Sequence, residues 1–176
     1  MRKISTVLVI LAMICFSCEK KNDPAYSGEI LLSSEQLLSG QLYSYYGFTF
    51  EDGKIAVYPA GALVVADLYI IYNDFNQQVI LQSSNQIDAF YMNGDFQSAG
   101  EAESNYNGYT EVTASNFQPQ AVNVLENQIW TIKTSVDKYA KIWIRDIQFK
   151  TGALSEYVEL TIRYQYQPDG SKTFPQ

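Results

Sequence analysis

Residues 157–165 alternate without a break: Val158, Leu160, Ile162 and Tyr164 fall on one side, and Glu159, Thr161, Arg163 and Gln165 on the other. Side chains two apart point the same way only on an extended chain, so this segment is a strand with one buried and one wetted face. A strand of this kind needs partners, and two similar stretches precede it. Residues 129–134 and 139–149 are rich in Ile, Trp, Tyr and Thr, and they are joined by Ser135-Val136-Asp137-Lys138 and followed by a loop around Gly152. Together the three predict an antiparallel meander with one buried side.

The rest of the chain follows the same grammar. Residues 41–50 read as a strand, Glu51-Asp52-Gly53-Lys54 as a hairpin turn with glycine available for positive φ, and 55–58 as the return strand. The apolar run 63–72 predicts a central strand covered on both sides. Shorter strands are expected at 78–82, 89–92 and 109–113, with Asn93-Gly94-Asp95 as a turn and the polar 97–108 region as a loop. The one helical piece expected is short, around 33–38, where Ser34-Glu35 offers a cap. The expected fold class is therefore all-β: a single antiparallel β-sandwich-like domain with little helix. No internal repeat is visible.

The first residues give an address. Met1-Arg2-Lys3 is positively charged and Val7 to Phe16 is apolar but too short to span a bilayer, the pattern of an export signal. A small residue, Ser17, then precedes Cys18, and Glu19-Lys20-Lys21-Asn22 turns polar at once, which resembles the lipobox of a bacterial lipoprotein with Cys15 where leucine is common. The expected organisation is a signal peptide over 1–17, a tether over 18–28 lipidated at Cys18, and an all-β domain over 29–176. Acylation of this kind anchors the chain on the outer membrane, with the cell surface as its expected side. Cleavage before Cys18 leaves one cysteine and hence no disulfide, so packing and hydrogen bonds must stabilise the domain.

Charge and composition remove several functions. The chain has no histidine, which excludes Ser-His-Asp triads and His-ligated zinc. No serine lies in a G-x-S-x-G context, and Asn73-Asp74-Phe75-Asn76 and Asn93-Gly94-Asp95 lack the spacing and distal Glu of a calcium loop. The expectation is no enzyme. The net charge of −7 becomes −9 once the signal is removed, which disfavours nucleic acid as a partner. Between Ile55 and Ile132 there is no Lys or Arg, whereas seven basic residues stand from Lys133 onward against five acidic ones. Two readings follow: outward alternating charges kept for solubility, or an electropositive face that meets an anionic ligand such as haem propionates or a sulfated glycan. Fourteen Tyr, nine Phe and two Trp exceed the needs of so small a core, and those at or beside strands, Tyr106 and Tyr109 among them, offer an aromatic platform.

The C-terminal third carries a family resemblance. The segment from Trp130-Thr131-Ile132-Lys133-Thr134 through Lys138-Tyr139-Ala140-Lys141-Ile142, with the closing Tyr164-Gln165-Tyr166-Gln167-Pro168-Asp169-Gly170, resembles the last strands of HmuY-type lipoproteins. Residues 46–54 resemble that family's early hairpin, and Ala66-Asp67-Leu68-Tyr69-Ile70 its Trp-Asp-hydrophobic strand with Ala66 in the Trp position. The resemblance implies an outer-membrane lipoprotein that takes up haem and passes it to a TonB-dependent receptor. The family's paired His or Met ligands have no equivalent, because the chain after Cys18 has no His and one Met, Met92. Met92, beside Tyr91 at a strand end, is then the expected metal ligand, since a thioether suits haem iron. Tyr91, Tyr106 and Tyr109 are the expected ring contacts. Haem held by Met92 and a tyrosine, or by stacking alone, is the leading expectation; the alternative is a glycan-binding or accessory surface lipoprotein with an aromatic platform and no haem.

Overall fold

The computed structural model describes residues 26–39, 42–59, 66–84 and 88–174. The signal 1–17, Cys18 and residues 63–65 of the expected central strand lie outside them. Five strands make one sheet in the order β1 (Ser27–Ser33), β11 (Glu156–Gln167), β10 (Tyr139–Thr151), β9 (Gln128–Lys133), β7 (Phe90–Asp95). The second sheet runs β2 (Leu37–Ser39), β3 (Leu42–Thr49), β5 (Leu68–Asn73), β6 (Gln78–Gln82), β8 (Gln120–Val122), with β4 (Lys54–Pro59) on the other edge of β3. Every pairing is antiparallel. Residues 118–122 join the sheets at one end: Gln118 exchanges backbone hydrogen bonds with Phe90, and β8 then pairs with β6.

The meander forms where its alternation puts it. Val158, Leu160, Ile162 and Tyr164 of β11 face the core with Ala140, Ile142 and Ile144 of β10 and Trp130 and Ile132 of β9; Phe48, Leu68, Ile70, Val79 and Leu81 meet them from the second sheet. Phe48 and Phe50 lie edge-on to each other at 5.2 Å, and both pack on Tyr164, at 5.0 and 5.8 Å. Each of these rings, on full burial, contributes roughly 1.5–3 kcal/mol of transfer free energy. The hairpin turn expected at 51–54 is present, with Gly53 at φ 60° between β3 and β4, and beyond β5 the Asn73 Oδ1 accepts from the Phe75 N–H at 3.2 Å.

Five expectations are corrected. Residues 99–108 are helix α1 (Ala99–Gly108), not loop: the Ser98 hydroxyl caps the Glu101 N–H at 3.3 Å, and the Glu101 carboxylate reaches back to the Gln97 N–H, one residue before the cap, in a variant of the capping box that the polar composition hid. Residues 33–38 are not helical; β1 keeps strand register with β11 through Leu32 opposite Leu160, and Ser34 spends its hydroxyl on the Val158 N–H. Residues 109–113 make a single bridge, Glu111 to Thr173, instead of a strand. Asn93-Gly94-Asp95 lies inside β7, where Asn93 is the extra residue of a bulge and Gly94 keeps a partner, Ile129 of β9. Ser27 and Gly28, placed at the end of the tether, are paired strand residues opposite Gln165 and Tyr164.

Candidate functional site

The outer face of the first sheet carries α1. Ala102 and Tyr106, one helical turn apart, bury against Ile129 and Trp143, with Phe96 at the margin. The chain after the helix lays Val112 and Ala114 over Phe174, with Tyr91, Tyr109, Phe117 and Tyr139 around them. Between these covers and the edge strand β1 lies a cleft of about 570 Å³, lined among others by Tyr106, Lys141, Arg145, Arg163 and Phe174.

Strand register brings the cations there. On the outward face, Arg163 stands between Glu29 of β1 and Trp143 of β10, and Lys141 stands between Gln165 of β11 and Thr131 of β9. Arg145 is the extra residue of a bulge: Ile144 pairs with Ile162 and Asp146 with Thr161, leaving Arg145 unpaired and turned toward the Glu29 carboxylate. Arg163 bonds to Glu103 of α1 at 3.0 Å. Both ion pairs are half exposed and are worth at most about 1 kcal/mol each, so an anion can compete for either arginine.

Lys141 is different. It is 3% exposed, and no carboxylate lies within ion-pair distance of it among the described residues. Its ammonium donates to the carbonyls of Tyr106 at 2.8 Å and Tyr109 at 2.7 Å, and lies 4.6 Å from the Tyr106 ring centre and 5.2 Å from that of Phe174. α1 has no basic residue in its last turn, so the sheet supplies the cation its carbonyl end requires. Burial, and then the neighbouring Arg163, pull the Lys141 pKa down to about 8. An ammonium has three donors, and two are occupied.

Tyr106 adds a polar atom without a partner: its hydroxyl is buried and bonds to nothing among the described residues. Burial drives its pKa well above that of an ordinary phenol, so it is a neutral donor at any physiological pH. A buried donor left unsatisfied costs about 1–3 kcal/mol, which a polar ligand group would relieve.

The four residues singled out from sequence are divided between two faces. Tyr106 and Tyr109 meet at Lys141, and Tyr109 also exchanges a 3.0 Å hydrogen bond with the Thr131 hydroxyl. Tyr91 packs on Phe117 on the same outer face, with ring centres 6.1 Å apart. Met92 is the next residue of the same strand and pairs with Trp130, whose side chain belongs to the core, so it stands on the opposite side of the sheet, half exposed at its margin. Lys141, Arg145 and Arg163 were legible as a basic C-terminal segment, but not as a cluster, because their convergence needs the bulge and the helix that covers them.

Fold and cleft together define an antiparallel β-sandwich with a cationic cleft, bordered by Tyr106 and Phe174, on the outer face of one sheet. No family model matches the chain, and no curated protein sequence matches it.

Proposed function

We propose that the protein is a lipid-anchored outer-membrane surface protein that captures haem or a related tetrapyrrole and hands it to an outer-membrane receptor. The observation that carries this reading is the convergence of Lys141, Arg145 and Arg163 on a cleft walled by Tyr106 and Phe174, in a chain whose net charge is otherwise strongly negative. A tetrapyrrole of the haem type presents a flat apolar ring with two carboxylates at one edge, and the cleft offers aromatic walls with cations beside them. The export signal and the Cys18 lipobox supply the address, and the resemblance to HmuY-type lipoproteins supplies the ligand class.

The cleft fits the propionates better than it fits the iron. None of the residues lining it carries a thioether, thiolate or imidazole, and Met92 lies on the other side of the sheet. Binding in this reading is led by carboxylate recognition and stacking, with no iron bond required.

Absorbance titrations separate the terms. Haem and metal-free protoporphyrin IX should bind with similar affinity, and protoporphyrin dimethyl ester about tenfold or more weakly, with Arg163→Gln reproducing that loss. A flat titration with both porphyrins at micromolar protein sinks the reading. Binding of haem alone, abolished by Met92→Ala, would move the site to β7.

A further inference from the structure

The second sheet turns a different surface outward. Tyr45 and Tyr58 stand opposite each other on β3 and β4, Gly47 stands opposite Tyr69 of β5, and Tyr69 opposite Gln82 of β6. With the alternation of each strand, the outward set is Tyr43, Tyr45, Tyr58, Tyr69, Ile71, Ile80, Gln78, Gln82, Gln120 and Val122. The same face also carries Lys54, at the far end of β4, its one charged side chain among the described strand residues. A surface sheet face built almost wholly of phenols, amides and aliphatic groups is unusual for solubility alone, since charge is the ordinary means.

The tyrosines form a row. Ring centres of Tyr58 and Tyr45 are 6.5 Å apart with planes 29° from parallel, and those of Tyr45 and Tyr69 are 5.6 Å apart at 36°. Gly47 makes room for the row: a Cβ there would come within 2.5 Å of the Ala66 Cβ and 2.9 Å of the Tyr58 ring. The Tyr69 hydroxyl donates to the Gln82 side-chain carbonyl at 2.7 Å, which fixes both groups. Beside the row, β2 pairs with residues 42–44 of β3 while β5 pairs with 47 and 48. The two strands part between those positions, and a cavity of about 440 Å³ opens there, lined by Tyr43, Tyr45, Tyr69, Gln36 and Gln82 among others, with Glu156 as its one charged group.

We infer that this face is a binding site for a neutral carbohydrate. Sugar rings present an apolar C–H face and a rim of hydroxyls. A row of tyrosine rings meets the first, and amide side chains, each both donor and acceptor, meet the second. The absence of any Lys or Arg in the cavity lining excludes an anionic glycan as the fitted ligand, in contrast with the cleft on the other sheet. This site stands independently of the tetrapyrrole reading.

Affinity electrophoresis of the full domain in gels containing laminarin, xyloglucan, amylopectin, mannan or inulin tests it, with heparin as the anionic comparison. At least one neutral polysaccharide should retard the protein; Tyr45→Ala should weaken that interaction about tenfold or more, while Tyr45→Phe and Arg163→Gln leave it unchanged. Tyr45→Phe keeps the ring, so it separates loss of the platform from loss of fold. The inference is overturned if no neutral polysaccharide retards the protein, if only heparin does, or if Tyr45→Ala binds as the unaltered chain. Concentration-dependent dimerisation in sedimentation velocity, abolished by Ile71→Glu, would likewise overturn it by assigning the face to a second copy.

Discussion

The two sheets share one core and present opposite surfaces. The outer face of β1, β11, β10, β9 and β7 is roofed by α1 and gathers Lys141, Arg145 and Arg163 into a cleft. The outer face of the other sheet has no covering element among the described residues, is nearly uncharged and is set with tyrosines. The difference follows chain order. The stretch from Ile55 to Ile132, without a cation, supplies β5, β6 and β8 of the second sheet but also α1, β7 and most of β9 on the first, while the residues after Lys133 build β10 and β11. The cations of the cleft thus come from β10 and β11, and the two faces differ in the charge that their strands carry.

The largest effect should come from removing the anchor of the roof. Tyr106 is 3% exposed and packs on Trp143, with ring centres 6.2 Å apart, and with Ala102 it is one of the two buried contacts by which α1 holds the sheet. Tyr106→Ala should cost about 3 kcal/mol, read as a lowered urea midpoint, and should release α1. Loss of amide protection confined to residues 99–108, with β10 and β11 still protected, would show that the roof is an addition to a sandwich that folds without it. If β10 and β11 lose protection as well, the two layers fold as one unit and the contrast between faces is only superficial.

Each sheet also buries one carboxyl or ammonium group, and the two respond to pH in opposite ways. Asp67, at the start of β5, accepts from the Phe50 N–H at 3.0 Å, yet burial, together with the nearby charges of Glu51 and Asp52, raises its pKa to about 6. Its folded pKa lies above the unfolded 3.8, so its contribution to stability is complete below about pH 4 and is lost as pH rises through 6, on the order of 3 kcal/mol. Asp67→Asn keeps an acceptor for Phe50 and should be more stable than the parent at pH 7, with the slope between pH 4 and 6 gone. Lys141 runs the other way. Its pKa is lowered to about 8 from 10.5, so the parent gains stability as pH rises from 8 to 10.5. Lys141→Met should abolish that gain while changing stability at pH 7 by only about 1.5 kcal/mol, since loss of a desolvated charge offsets the two carbonyls left without a donor. A bound carboxylate needs the charged ammonium, so porphyrin affinity should weaken above about pH 8 in the parent. Denaturation midpoints across pH 4–10 check all three curves, and a parent profile flat on both sides of neutrality would refute the account of both groups.

What was legible in the sequence is what period two records. Val158, Leu160, Ile162 and Tyr164 announced the inner face of β11, and all four are buried. Helix α1 was not legible from periodicity because its inward face is just Ala102 and Tyr106, set among Gly, Ser and Asn, which are weak helix formers. The capping box of Ser98 and Glu101 was its one local signal. The division of the candidate ligands was present in principle: Tyr91 and Met92 are neighbours in an expected strand, and neighbours in a strand face opposite ways. The cleft was not, because it depends on which strands lie side by side and on a bulge at Arg145, neither of which leaves a mark in composition.

The smallest stability effect should fall on the tyrosine face, and its smallness is what makes it informative. Tyr45 is half-buried and touches Tyr58 and Tyr69 at ring distance, but it anchors no covering element among the described residues, so Tyr45→Ala should cost only about 1 kcal/mol against the larger loss at Tyr106. Ring pairs that contributed chiefly to folding would make Tyr45→Ala and Tyr106→Ala comparable, and the row would then be a cross-strand ladder serving the sheet. A variant that unfolds at nearly the same urea concentration as the parent but loses retardation on a neutral polysaccharide would separate the two roles. Tyrosine would then be a core residue under the helix and a surface tool on the open sheet, distinguished by what covers it and by nothing in the residue itself.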